Sequence, residues 1–114
     1  MKSKSKHSTA GEVVEKLIAQ IEGFYSEMSV LSKGKPDNPL NAFKLKFIND
    51  KLTEANGVLV GEYQPLTGFT IFDDTALPTN SDVVFVLSQY INRLKAWRRD
   101  NRTSPIPDVF KDWN

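Results

Sequence analysis

The 114-residue chain has no cysteine, which removes disulfides, thiolate zinc sites, iron–sulfur clusters and thiol nucleophiles from consideration. Its one histidine, His7, sits in a lysine- and serine-rich stretch at the amino end. One such residue cannot supply both partners of a two-histidine metal site, and its setting does not suit a Ser–His–Asp triad. An excess of one charge sign is missing too. Fifteen Lys and Arg face fourteen Asp and Glu, a formal net charge of +1, so no overall field steers the molecule onto a polyanion or an anionic membrane. Any such contact has to be local. No stretch comes near the ~20 apolar residues of a membrane span, and "MKSKSKHSTAG" lacks the apolar run that follows the lysines of a signal peptide. The expectation is a soluble, cytoplasmic protein with no membrane partner. "KGKP" at 33–36 carries the glycine and lysine of a phosphate loop without its earlier glycine or its Ser/Thr, and no cofactor is expected.

What is present suits one modest globular domain, with 39% apolar and 25% charged residues. Residues 1–8 alternate lysine and serine and read as a disordered basic arm. A single helical domain is expected over 9–114, ending in a tail at 103–114. "TAGE" from Thr9 has the pattern of a capping box, and Val14, Leu17, Ile18, Ile21, Phe24, Tyr25, Met28 and Leu31 recur at three- and four-residue spacing. These signals predict a first helix over 9–32. Asn38 before Pro39 reads as a second helix start and Gly57 as its stop, predicting a helix over 39–56. "FKLKF" at 43–47 alternates strictly and is also readable as a strand. Residues 58–78 lose the helical period and offer two β-prone runs around "QPLTG", an irregular or hairpin-bearing insert. A second capping-box pattern, "TNSD" from Thr79, opens a third helix over 80–101, with Val83, Val86, Leu87, Tyr90, Ile91, Leu94 and Trp97 as its buried stripe. The fold class is therefore mainly α, with three principal helices.

Two constellations are candidates for function. "RLKAWRRDNR" at 93–102 places five cations in ten residues, and Lys95, Arg98, Arg99 and Arg102 fall at i, i+3, i+4 and i+7 on one ridge. Such a ridge could follow a phosphate backbone. Cations in the last turns of a helix are also favoured by its dipole, and the first helix offers Glu12, Glu15, Glu22 and Glu27 as neighbours, so a structural use has the stronger claim. Trp97 points into the apolar stripe instead of standing beside the arginines as a stacking platform would.

The second constellation is apolar. Phe85 lies nearly opposite the buried stripe of its helix, on the arc of Ser88, Asn92, Ala96 and Arg99, while Leu40, Phe43 and Phe47 form a stripe separate from Leu45, Ile48, Leu52 and Ala55. A three-helix core has no obvious room for both, so the Phe85 ring is either covered by 58–78 or the carboxyl-terminal tail, the reading with the stronger claim, or left for a partner. In the tail, Val109, Phe110 and Trp113 have the spacing of a short docking helix. Asp73 with Asp74, and Asp50 with Glu54, are the only carboxylate pairings with a catalytic or ligating look, and solvated turns or helix faces explain both. The expected function is a small non-enzymatic protein–protein interaction or regulatory protein, self-association included, with Phe43, Phe47 and Phe85 as contact residues. The alternative is nucleic-acid binding through Lys95, Arg98, Arg99 and Arg102.

Overall fold

The computed structural model describes residues 9–101, and the expectations for the arm, the tail and Arg102 lie outside them. The described chain is mainly helical, with α1 at Ala10–Gly34, α2 at Ala42–Val58, a 3₁₀ turn at Gly61–Tyr63 and α3 at Asn80–Asn101. No strand is present among the described residues.

Helix α1 starts where its capping signal says. Thr9 Oγ1 accepts the Glu12 N–H at 3.0 Å, and the Glu12 carboxylate accepts the Thr9 N–H at 3.1 Å. Both are backbone donors that a helix start leaves without partners. Val14, Leu17, Ile18, Ile21 and Met28 go into the core, while Phe24 and Tyr25 pack at its edge and Leu31 is partly exposed outside it. Helix α1 lies antiparallel to α3, as the pairing of Glu15 with Arg98 and of Glu22 with Lys95 requires.

Helix α2 corrects the expected boundaries at both ends. It begins at Ala42, with Asn41 accepting the Lys44 N–H at 2.8 Å. The stretch before it stays extended because it has tertiary partners. Pro39 forms an antiparallel bridge with Thr79, Leu40 N–H donates to the Pro78 carbonyl and Asn80 N–H to the Asn38 carbonyl, each at 2.9 Å. At the other end the helix runs through Gly57 to Val58, and the Leu59 N–H closes it onto the Ala55 carbonyl at 2.8 Å. Phe43 to Phe47 are helical, so the strand reading of that stretch is set aside. Leu45, Ile48, Leu52 and Ala55 form the buried face, each at 2% exposure or less, and a fully buried leucine or isoleucine stabilises the fold by about 1.5–3 kcal/mol.

Helix α3 starts with Thr79 Oγ1 accepting the Asp82 N–H at 3.2 Å. Its stripe is buried as expected from Val83 to Leu94, with Trp97 half-buried at the end. Asn80 is buried as well and donates from its side chain to the Lys35 carbonyl at 2.8 Å, tying the start of α3 to the end of α1.

The insert is irregular and contains no hairpin. Gly68 takes φ 83° at the third position of the turn closed by Phe69 N–H on the Leu66 carbonyl, a conformation that favours glycine. Residues 69–72 then run antiparallel to α2, between it and Tyr90 of α3, as a strap. Asn49 of α2 donates to the Phe72 carbonyl and accepts the Phe72 N–H, both at 3.0 Å. Asn56, two helical turns further on, donates to the Thr70 carbonyl at 2.8 Å. Side chains of α2 thus take the hydrogen-bonding role that a second strand would have played, and a ribbon too short to be stable alone is not needed.

Candidate interaction surface

The three helix ends meet around the Pro39–Thr79 bridge, and this decides where the unburied apolar residues collect. Nine large apolar side chains are exposed among the described residues. Six of them belong to this end: Val30 and Leu31 near the end of α1, Phe43 and Phe47 in the first two turns of α2, Leu77 just before α3 and Phe85 in its second turn. Phe43 is 71% exposed, Phe85 56% and Phe47 45%.

Phe43 and Phe47 lie one helical turn apart with ring centroids 5.1 Å from each other, edge to face at 70°. Beside them a cleft of about 240 Å³ opens between α1 and α2, walled by Phe24, Met28 and Ile48. Its rim carries the Lys44–Glu27 ion pair at 2.8 Å. A ring pair in this geometry is a ready apolar platform, since edge-to-face packing fixes the two rings relative to each other before anything binds. Phe85 stands apart on α3. Along its arc only Ala96 is covered, while Asn92 and Arg99 are exposed with it.

The basic ridge has found partners inside the molecule. Lys95 pairs with Glu22 at 2.9 Å, Arg98 with Glu15 at 3.1 Å and Arg99 with Asp100 at 3.0 Å. Arg93, next to the ridge, donates to the Glu62 carbonyl at 3.0 Å and lies 5.5 Å over the Tyr63 ring, which holds the 3₁₀ turn to α3. Tyr63 in turn donates to Asp100 at 2.7 Å. That bond, helped by Arg99, holds the Asp100 carboxyl below the usual range and raises the Tyr63 phenol above its own.

One member of each carboxylate pairing is engaged structurally. Asp73 accepts both the N–H and the hydroxyl of Thr75, at 2.8 and 2.7 Å, which makes a turn and lowers its pKa. Glu54 pairs with Lys51 at 3.1 Å, and Asp50 and Asp74 lie along an open cleft with Lys46 between α2 and the insert. No group of three or more His, Asp or Glu side chains able to hold a metal ion occurs among the described residues.

Sequence reasoning passed over the asparagines. Asn56 accepts from the Tyr90 hydroxyl at 2.7 Å while donating to Thr70, and burial raises the Tyr90 phenol above its ordinary pKa. Asn49 and Asn56 are seven residues apart and therefore share a face of α2, a spacing that was the one available signal. The polar interior is closed, with no buried side-chain nitrogen or oxygen lacking a partner among the described residues.

Fold and surface together define a small three-helix arrangement with exposed rings toward one end and the ion pairs between α1 and α3 toward the other. No helix among the described residues is long and apolar enough to cross a membrane. No protein-family model matches the chain, no curated protein matches it, and no solved structure matches it.

Proposed function

We propose that this chain is a small non-enzymatic interaction protein whose contact surface is its apolar end, with Phe43 and Phe47 as central anchors and Phe85 as an outer one. The observation that carries the reading is the phenyl pair on α2, exposed beside an open apolar cleft while the opposite face of the same helix is fully buried. Burying a phenylalanine side chain is worth about 1.5–3 kcal/mol, so a partner that covers both rings gains more than either scattered exposed residue would offer. Contiguous exposed apolar surface is where proteins bind one another, and aromatic anchors dominate such contacts. Another copy of the chain and a different protein are both admissible occupants.

The test is site-specific photo-crosslinking in the producing cell. A benzophenone amino acid in place of Phe43 should give discrete protein adducts, weakened by Phe47→Ser on the same chain. The same reagent in place of Thr53, exposed further along α2, serves as control. Equal labelling at both positions, or none at position 43, would refute the proposal.

A further inference from the structure

Gly57 has no structural reason to be glycine. It lies inside α2, it is not among the residues with positive φ, and a Cβ built on it would meet nothing within 4 Å. In the last turn of a helix glycine costs less against alanine than the ~0.5–1 kcal/mol of a mid-helix position, but neither close packing nor a positive φ gives any return for it. What glycine does confer is chemical. It follows Asn56, and an unsubstituted residue after asparagine leaves its backbone nitrogen free of steric hindrance toward the asparagine side chain.

We propose that Asn56–Gly57 is a self-modification site, at which deamidation of Asn56 releases the strap at 69–72. In the reaction the Gly57 backbone nitrogen gives up its proton to solvent base and attacks Asn56 Cγ. A C–N bond forms, the Cγ–Nδ2 bond breaks, and Nδ2 leaves as ammonia after taking up a proton. Water then opens the cyclic imide at either carbonyl, leaving an aspartyl or isoaspartyl residue at position 56.

The folded state controls both the rate and the consequence. Asn56 Oδ1 accepts from Tyr90 and Nδ2 donates to Thr70, and helical backbone holds the Gly57 nitrogen away from Cγ. Attack therefore needs the strap and the last turn of α2 to open together, and the rate tracks the population of that open form. Once formed, a carboxylate has no hydrogen to give the Thr70 carbonyl and sets an oxygen against it at a site where the bond was 2.8 Å long. Reclosure is opposed, and Phe69, which packs edge to face on both Phe72 and Tyr90, becomes accessible together with Phe72.

The experiment follows deamidation by peptide mass mapping of the purified full chain held at mildly alkaline pH, with Asn49→Ala and Gly57→Ala run beside the wild type. Expected is accumulation at position 56 ahead of Asn49, Asn80 and Asn92, roughly tenfold faster in Asn49→Ala because a strap latch is missing, and severalfold slower in Gly57→Ala. Asn56→Asp, which installs one product directly, should speed amide exchange at residues 69–72 while leaving α1 protected. Deamidation at position 56 no faster than at Asn49, Asn80 and Asn92 overturns the proposal. So does a rate indifferent to Gly57→Ala, or unchanged strap exchange in Asn56→Asp.

Discussion

Replacing Asn49 by alanine isolates the contribution of a single side chain to the strap. In the wild type its amide makes two hydrogen bonds of 3.0 Å to the backbone of Phe72, one in each direction. Alanine removes both and leaves the Phe72 N–H and carbonyl, half-buried against α2, to find water instead. A net ~0.5–1.5 kcal/mol per bond makes the total about 1–3 kcal/mol. Alanine's better helix propensity returns a few tenths of a kcal/mol. For a domain of this size the remainder lowers Tm by on the order of 10 °C. Urea unfolding followed by far-ultraviolet circular dichroism measures the loss, and hydrogen exchange locates it. The Phe72 amide should lose protection while the amides around Leu87 in α3 fall only by the global change. Asn49→Asp sharpens the test, since a carboxylate still accepts from the Phe72 N–H but presents an oxygen to its carbonyl; it should be at least as destabilising. If Asn49→Ala is within ~0.5 kcal/mol of wild type, as an ordinary surface change would be, and Phe72 exchange is unaltered, the strap is held by something other than this asparagine.

Truncating Leu87, fully buried in α3, to alanine should cost about 2–5 kcal/mol, whereas Phe43→Ser, which loses the ring pair with Phe47, should cost no more than about 0.5–1.5 kcal/mol; thermal melts of the two variants distinguish core from contact surface. Thr9→Ala breaks the capping box of α1 and should cost about 0.5–2 kcal/mol in chemical denaturation. The Tyr63–Asp100 bond predicts a pH dependence with a definite sign. The lowered Asp100 pKa gives stability that is present above its unfolded value and lost as pH falls through the folded one, while the raised Tyr63 pKa gives stability present below its unfolded value and lost as pH rises through the folded one. The stability difference between wild type and Tyr63→Phe should therefore be constant between about pH 5 and 9 and close at both extremes, read from denaturation curves across the range. Exchanging Glu15 and Glu22 for glutamine frees Arg98 and Lys95 and should raise salt-sensitive DNA binding above the wild-type level in a fluorescence anisotropy titration; no rise would mean that the ridge is unsuited to phosphates even when unpaired.

The helices were legible from residues that act locally. Thr9 and Glu12 satisfy each other's backbone wherever the rest of the chain goes, and the stripe from Val83 to Leu94 buries one face for reasons of period alone. The acidic side of α1 and the basic end of α3 were equally readable, since opposite charges at matching intervals on antiparallel helices meet by geometry. The start of α2 was not. Pro39 carries a helix-start signal as strong as that of Asn41, and only the bridge to Thr79, forty residues away, keeps 39–41 extended. The insert escaped for the same reason. Its β-prone runs expressed a need for hydrogen-bond partners that Asn49, Asn56 and Tyr90 met from two helices, and a side chain serving as a substitute strand leaves no periodic trace in sequence. Where Phe43 and Phe47 point was set by their register on α2. That they share one end of the molecule with Val30, Leu77 and Phe85 was decided by the helix connections that meet there, since adjacency between distant segments is a property of packing and not of any local run of residues.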